Sequence, residues 1–276
     1  MDISVVFVVL GAAFLHAFWN FQVRGTEDKA LGMAAVMFGH LPLAIISLAY
    51  VGLPAQGAWQ YVFVSAVLHL GYQVFLLNAY RFGELTQIYP VARGASPLLI
   101  TIFTMIMVPG TLQLGEVIGV IMVSGAIITY GIAQYRTKSV GFTGIALAVV
   151  TGCFIASYSM VDAVGTRITQ SAISYYGAST TANAVLLALY LLRYHPTVIG
   201  RVYRDAPRTF VIGGNASYFA YVAVLWACLS EPVAVVSSLR ETSVLFAVVL
   251  GVLVLKEKIT PFKIAIILTI FFGVIV

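Results

Sequence analysis

Charge is the property that this sequence has least of. Asp, Glu, Lys and Arg make up only 9% of its 276 residues, whereas a soluble domain has about 25%. Hydrophobic residues make up 61%, and the mean hydropathy is +1.00. So few charged side chains cannot cover a surface that faces water, which excludes an ordinary soluble protein. The composition predicts an integral membrane protein.

The signatures of several enzyme and pump classes are also missing. The sequence has no HExxH, no GxSxG, no P-loop and no carboxylates clustered as metal ligands. These absences exclude an ATP-driven pump and argue against an intramembrane enzyme. The two cysteines, Cys153 and Cys228, form no CxxC pattern and are interpreted as packing residues. We therefore expect no catalytic residue, no metal and no cofactor.

What the sequence does contain is a series of long apolar segments. A helix needs about 20 apolar residues to cross a bilayer, and the strands of a barrel would show shorter, alternating segments. Ten segments fit the helical length: residues 3–22, 31–52, 59–80, 85–108, 114–133, 142–161, 171–192, 209–229, 232–255 and 259–276. The chain is therefore predicted to be an all-α polytopic membrane protein.

Basic residues are concentrated in every second link between these segments. The positive-inside rule places such links in the cytoplasm, and both termini are then predicted outside. The opposite side carries only Arg167, and Arg93 and Arg240 fall inside segments. The residues used for this prediction are Arg24, Lys29, Arg81, Arg136, Lys138, Arg193, Arg201, Arg204, Arg208, Lys256, Lys258 and Lys263.

The ten segments divide into two sets of five. We predict a first repeat at residues 1–138 and a second at residues 139–276. Because five is odd, the second repeat must be inverted relative to the first, and the basic links agree with this. Inverted repeats around a central site at the membrane midplane are typical of secondary transporters. The predicted architecture is two inverted five-helix repeats around a central cavity.

An intramembrane cation stands out in the stretch YPVARGASP. Charge within a membrane costs about 2.5–3.5 kcal/mol on insertion scales, so Arg93 is a candidate functional residue. A guanidinium facing a cavity suits a carboxylate, because it offers a planar, bidentate set of donors. Pro90 and Pro97 flank Arg93 and remove backbone donors, so they are predicted to break or loosen the helix and to serve gating.

Arg240 is the second intramembrane cation, and the neighbouring Glu241 is interpreted as the only acidic residue well inside a segment. Glu241 is predicted to be a counter-ion to one of the arginines. Alternatively, it is a titrating site for proton coupling. The arginines could also be structural, bonded to carbonyls freed by the prolines or paired with Glu241.

Polar and aromatic residues share faces on several segments, often at the i, i+3, i+4 spacing of a helix. Hydrogen bonding between helices would explain any one face, but together the faces predict a cavity lining. His40 is interpreted as a packing residue instead, and Tyr221 and Trp226 extend the face of the eighth segment. The predicted substrate-binding residues are Arg93, His16, Trp19, Asn20, His69, Tyr72, Gln73, Tyr89, Ser157, Tyr158, Asn215, Tyr218 and Arg240.

Three stretches resemble the EamA family of the drug/metabolite transporter superfamily. They are LHAFWN in the first segment, YPVARGASPLL in the fourth and LRETSVLFAVVLGVLVLKEKIT in the ninth. The resemblance implies a ten-helix inverted-repeat transporter whose cavity is lined mainly by helices 1, 3, 4, 6, 8 and 9. It also implies a charged turn at Lys256-Glu257-Lys258. Bacterial members mostly export amino acids and related metabolites, the YddG-type exporters among them.

Small multidrug-resistance relatives carry a glutamate in the first helix for proton exchange. Here the first segment has His16 and Asn20 and no acid. The sequence therefore departs from that mode of coupling.

These observations predict a secondary transporter, not an enzyme, that exports small metabolites across the bacterial inner membrane by alternating access. Amino acids are the first substrate class, with Arg93 meeting their carboxylate. Efflux of cationic drugs or quaternary amines is the alternative, and an intramembrane enzyme acting on lipid head groups is a remote one. The expected partners are a small-molecule substrate and the lipid bilayer, with no nucleic acid. A monomer suffices for this function, and a dimer is left open.

Overall fold

The computed structural model describes residues 2–23, 28–82, 85–135, 142–255 and 260–276, and every regular element within these ranges is helical. A 3₁₀ turn at Gln56–Ala58 precedes α4, and a π-helical turn at Thr209–Gly213 precedes α10. The α-helices are α1 (Ile3–Val23), α2 (Lys29–Gly39), α3 (Leu41–Val51), α4 (Trp59–Ala79), α5 (Leu85–Met107), α6 (Leu114–Tyr135), α7 (Phe142–Thr169), α8 (Ala172–Tyr194), α9 (Val198–Asp205), α10 (Gly214–Ala227), α11 (Val233–Arg240), α12 (Ser243–Leu255) and α13 (Pro261–Ile275).

Helical stretches long and apolar enough to cross a membrane are frequent in the described ranges. The seven that qualify are Ile3–Asn20, Lys29–Val51, Gln56–Ala79, Ile88–Met107, Leu114–Ala133, Phe142–Thr169 and Thr209–Ala227. They confirm the all-α, multi-pass part of the predicted fold class. Helices also cover the remaining predicted segments, but the ten-span inverted-repeat arrangement stays a prediction.

Two of the predicted segments are broken into shorter helices. The second segment is divided between α2 and α3, which meet at His40, with Pro42 in the first turn of α3. The ninth is divided between α11 and α12 by a turn at Glu241 and Thr242, whose N–H groups bond to the carbonyls three residues earlier. Tight bonds of this kind end an α-helix, so the ninth segment is discontinuous at its acidic residue.

The helix break predicted at Pro90 and Pro97 does not occur there, because α5 continues through both prolines. A proline removes one backbone donor, and a helix in a protein interior tolerates that loss where neighbouring groups bond the freed carbonyls. The discontinuity lies at Glu241 instead.

The chain divides into two compact units. We call Gly71–Ser157 with Glu231–Val276 the first unit, and Asp2–Leu70 with Tyr158–Ser230 the second unit. The predicted repeats at residues 1–138 and 139–276 stay a prediction, and their boundary lies outside the described residues. So do Glu257 and five of the basic residues used for orientation: Arg24, Arg136, Lys138, Lys256 and Lys258.

In the first unit, α6 packs against both α5 and α13. The core between α6 and α13 includes Val123, Ile127 and Ile270. Gly119 and Gly273 allow a close approach of these two helices, since a Cβ at Gly119 would collide with the carbonyl of Gly273. The short helix α11 lies against α5 and α6, which positions its C-terminal end beside them.

In the second unit, α1 packs against α10 and α3 packs against α8. Tyrosines dominate the core here: Tyr175, Tyr176 and Tyr218 are buried together with Leu225. Aromatic rings with polar tips need a hydrogen-bond partner when they are buried. This core is therefore also a polar network.

Candidate functional site

Three charged side chains form a buried cluster in the first unit. Arg93 lies on α5, and Arg240 and Glu241 lie at the end of α11. Their exposed fractions are 5%, 3% and 0%. The Arg93 Nε donates to Glu241 Oε2 at 3.0 Å, and its Nη2 lies 3.0 Å from Oε1. Glu241 is thus the counter-ion of Arg93, held at two points, and its alternative role as a proton site stays a prediction.

Arg240 is much less well paired than Arg93. Its Nη2 lies 3.7 Å from Glu241 Oε1, beyond hydrogen-bond distance. Both its Nε and its Nη2 are buried and have no hydrogen-bond partner among the described residues. The cluster therefore holds two cations and one anion. Glu241 Oε1, although 3.0 Å from Arg93 Nη2, also makes no hydrogen bond of good geometry among the described residues.

Two buried hydroxyls accompany this cluster. Ser96 and Ser237 lie three residues from Arg93 and Arg240, and residues three apart share a helix face. Neither hydroxyl has a hydrogen-bond partner in the described part of the chain. A buried donor without an acceptor costs about 1–3 kcal/mol, so several such groups together favour a ligand that supplies acceptors.

The other predicted binding residues of the first unit are spread over three helices. Tyr89 lies one turn before Arg93, with the Arg93 guanidinium carbon 5.7 Å from its ring centroid. On α4, Gln73 is buried and Tyr72 is half-buried, and Ser157 of α7 is exposed. Tyr89 is thereby joined to the charge cluster.

The second unit contains an acidic residue that sequence reasoning missed. The sixth segment was predicted to end at residue 161, but α7 continues to Thr169, so Asp162 lies within it. Asp162 is fully buried. The interpretation of Glu241 as the only acidic residue well inside a segment is therefore wrong. A signal was present, since Asp162 lies four residues after Tyr158, on the same helix face.

Asp162 is contacted by side chains from three other helices. The hydroxyl of Tyr221 donates to Oδ2 at 2.6 Å, and the hydroxyl of Tyr175 donates to Oδ1 at 3.0 Å. His69 Nε2 lies 3.1 Å from Oδ2. The helices α4, α8 and α10 thus meet α7 at one carboxyl group, and a carboxylate buried in this way needs such partners.

Aromatic rings surround the contact between His69 and Asp162. The His69 ring stacks on Tyr158, with centroids 3.9 Å apart and 20° between the planes, and meets Tyr221 edge-on at 5.8 Å. Tyr176 packs against Tyr221, with ring centroids 4.8 Å apart. The structure therefore brings together His69 and Tyr158 of the predicted set.

The network continues to His40, which the sequence suggested was a packing residue. Its Nδ1 lies 3.1 Å from the Thr180 hydroxyl and 3.3 Å from the Tyr176 hydroxyl. Tyr218, from the predicted set, packs against the His40 ring and donates to the Ser47 hydroxyl at 3.0 Å. His40 is buried, but it is also a hydrogen-bonding member of the cluster.

Hydrogen bonds within α1 join the residues of its predicted face. Trp19 Nε1 donates to His16 Nδ1 at 3.3 Å, and the Asn20 side-chain amide donates to the His16 carbonyl at 2.8 Å. These residues share a face, as their spacing requires. Asn215 is half-buried near the start of α10.

An open cleft of about 700 Å³ lies in the second unit. It is lined by α1, α10 and the start of α8, with Leu15, Ile173 and Phe219 among its mostly apolar residues. It includes none of the predicted substrate-binding residues. Its lining suits hydrocarbon better than a charged metabolite.

Comparisons with known proteins bear on the fold and the family. One solved crystal structure shares the fold, with a TM-score of 0.77 over 99% of this chain and 98% of that chain, at 17% sequence identity. No curated protein matches the sequence significantly. The model of the EamA-like transporter family matches residues 142–276, a range that contains Asp162, Arg240 and Glu241. The chain thus carries an EamA-like transporter family domain at residues 142–276, within a multi-pass membrane protein.

Proposed function

We propose that this protein is a secondary transporter of the drug/metabolite type, close in activity to the YddG-type exporters. It exports small metabolites that carry a carboxylate, amino acids first, across the bacterial inner membrane by alternating access. The family domain at residues 142–276 supports transport rather than catalysis. The observation that carries the choice of substrate is the excess buried cation of the first unit.

Arg240 becomes the main contact for the substrate carboxylate. Arg93 was the first candidate from the sequence, but Glu241 already neutralises it through contacts at 3.0 Å. Arg240 keeps two buried donors without a partner among the described residues. A guanidinium binds a carboxylate through paired, charge-assisted hydrogen bonds, which are stronger than neutral ones. Arg93 then holds Glu241 in place beside this contact.

The broken ninth segment supports a site at this position. Because α11 ends at Arg240 and α12 begins at Ser243, the charge cluster lies at a helix discontinuity. Discontinuous helices whose N-termini approach an anionic group are a recurring feature of secondary transporters. The turn at Glu241 and Thr242 also gives the segment a place to bend during alternating access.

The proposed orientation keeps the basic links in the cytoplasm and both termini outside. Arg201 and Arg204 on α9, in the link with the most arginines, support it. Cysteine labelling from each side of the membrane at exposed positions in this link, such as Tyr203 on α9, would test it. Labelling from the periplasmic side would contradict the orientation.

Efflux of cationic drugs or quaternary amines is the second candidate, because of Asp162 among the tyrosines. A carboxylate with aromatic rings around it can hold an organic cation. However, Asp162 already accepts two tyrosine hydrogen bonds and contacts His69. A cation would have to displace these groups, so the geometry favours the carboxylate substrate.

Counterflow in proteoliposomes tests the proposal. Vesicles are loaded with unlabelled amino acids, amines or organic anions, and uptake of the labelled compound is measured. We expect exchange of amino acids in the wild type. In Arg240→Gln the exchange rate should fall about tenfold or more, because charge-assisted hydrogen bonds are removed. Arg204→Gln is the matched control, since that side chain is 75% exposed on α9.

Two results would contradict the proposal. Exchange of amines with none of amino acids would favour cationic efflux. Full amino-acid exchange by Arg240→Gln would remove Arg240 from the substrate contact. Size-exclusion profiles of both variants show whether each remains folded.

A further inference from the structure

The carboxylate cluster of the second unit contains none of the residues that hold the proposed substrate carboxylate. We propose that His69 and Asp162 together bind one proton, and that uptake and release of this proton drive export as substrate/proton antiport. This inference rests on the proposed transport function. It assigns the energy source and the residues that carry it.

The hydrogen-bond directions set the charge of the pair. Hydroxyls of Tyr175 and Tyr221 donate to the two oxygens of Asp162, which favours the ionised, acceptor-only carboxylate. With His69 neutral and its Nε2–H directed to Oδ2, the pair carries one negative charge. The free lone pair is then on Nδ1, and a proton added there gives an imidazolium–carboxylate pair with no net charge. No covalent bond other than this N–H forms or breaks.

Burial and hydrogen bonding act on the charge of the pair in opposite directions. A fully buried negative charge is costly, which favours uptake of the proton. The two tyrosine hydrogen bonds stabilise the same negative charge, which favours release. Opposing effects of this kind allow a site to load and unload a proton within a transport cycle.

The proton reaches the pair through His69. The His69 side chain is 13% exposed, whereas that of Asp162 is 0% exposed. Stacking on Tyr158 at 3.9 Å holds the imidazole so that Nε2 faces the carboxylate. The ring face of Tyr158 also favours the imidazolium once it forms.

The titratable and charged groups around the pair come from each helix packed against it. Tyr175 and Tyr176 belong to α8, Tyr218 and Tyr221 to α10, and Tyr158 and Arg167 to α7. Arg167 Nε donates to the carbonyl of Cys228 at 2.7 Å.

His40, between α2 and α3, bonds to Thr180 and Tyr176. His69 is therefore the histidine that faces the carboxylate. His195, which is exposed at the C-terminal end of α8, provides the control.

Protonation changes a contact between two membrane-spanning helices. The pair joins α4 to α7, and the added proton turns a hydrogen bond to a neutral ring into an ion pair. An ion pair in a low-dielectric interior is much stronger than the same contact in water. The state of the proton can therefore bias the relative stability of the conformations through which the transporter cycles.

The test is the equilibrium accumulation ratio in proteoliposomes made one pH unit more acidic inside. The membrane potential is held at zero with potassium and valinomycin, and a labelled amino acid that shows counterflow is the probe. One pH unit and a tenfold concentration ratio are the same free energy, so exchange of one proton for one substrate predicts about tenfold accumulation inside. A pH-sensitive dye in the lumen should report proton exit with substrate entry.

Asp162→Asn and His69→Gln should reach a ratio near one, whatever their rates of exchange, and substrate should release no protons in them. His195→Gln should keep the wild-type ratio, because that side chain is exposed at the end of α8. Replacing sodium by potassium should leave the ratio unchanged. Two variants are used because either one alone could fail to fold.

Different failures separate the two claims. Wild-type counterflow with an accumulation ratio of one would overturn the proton site and leave the transport function standing. Full pH-driven accumulation in both Asp162→Asn and His69→Gln, or a ratio that requires sodium, would also overturn the site. Absence of any counterflow in the wild type would remove the transport function and the proton site with it.

Discussion

Each unit buries a charge cluster, and the two clusters differ in sign. The first has an excess of cations, and the second is built around a carboxylate. In the first unit, Arg93 and Arg240 share the single carboxylate of Glu241, and donors of Arg240 remain without acceptors in the described ranges. In the second, the carboxylate of Asp162 receives two hydroxyl donors and contacts one imidazole. A cluster with an excess of buried cations suits an anionic ligand, whereas a buried carboxylate in contact with an imidazole suits a proton.

The largest effect should come from removing the shared anion of the first unit. Glu241→Gln leaves two buried guanidinium groups without a counter-ion, and breaking a buried pair costs about 3–5 kcal/mol. Arg93→Met should cost less, because Glu241 then keeps Arg240, which already lies 3.7 Å away. Thermal unfolding in detergent compares the two variants. Equal losses would show that the cluster does not depend on one shared carboxylate.

In the second unit the corresponding substitution should destabilise the protein less, because Asp162 has several hydrogen-bond partners. Tyr221→Phe removes the 2.6 Å hydrogen bond to Oδ2. A hydrogen bond to a charged group contributes about 1.5–3 kcal/mol, and the contacts from Tyr175 and His69 remain. Thermal unfolding should detect the loss. Tyr50→Phe is the control, since that side chain is 91% exposed and should be near neutral. Equal effects of the two variants would contradict the network.

The sequence predicted the helices well because apolar length alone decides whether a segment can cross a bilayer. It also suggested that Glu241 would pair with an arginine, since an intramembrane charge needs a partner. Asp162 was missed for a physical reason. A helix can continue beyond its most apolar stretch, so hydropathy locates the middle of α7 better than its end.

The partners of the charged side chains were harder to predict than the helices. Arg93 and Glu241 are 148 residues apart, and His69 and Asp162 are 93 apart. No local pattern contains such distances. On α1, helical geometry correctly placed His16 and Asn20 on one face, and the Asn20 amide donates to the His16 carbonyl within that helix. The break at Glu241 was also unforeseen, because prolines are the usual signal and here the helix accommodates them.

Packing around Asp162 gives a third, intermediate test. A Cβ at Gly165 would collide with the ring of Tyr175, whose hydroxyl must reach Asp162. Gly165→Ala should therefore destabilise the protein by about 1–3 kcal/mol through overpacking. Gly11→Ala is the control, because a Cβ there meets nothing within 4 Å. If both alanines were tolerated equally, the position of Tyr175 would not matter to the cluster.

The smallest effect should come from an exposed charge cluster in the second unit. This cluster is charged but not buried, so it tests whether burial sets the energy of a charged contact. Arg204, and then Arg201, hold the pKa of Asp205 at about 2, below its usual 3.8. Because the folded pKa is lowered, the stabilisation is present above about pH 4 and is lost as pH falls towards 2. Asp205→Asn should lower the unfolding temperature slightly at pH 6, and less at pH 3 or in 1 M salt. Exposed ion pairs contribute little, so a loss as large as that of Glu241→Gln would contradict the view that burial sets these energies.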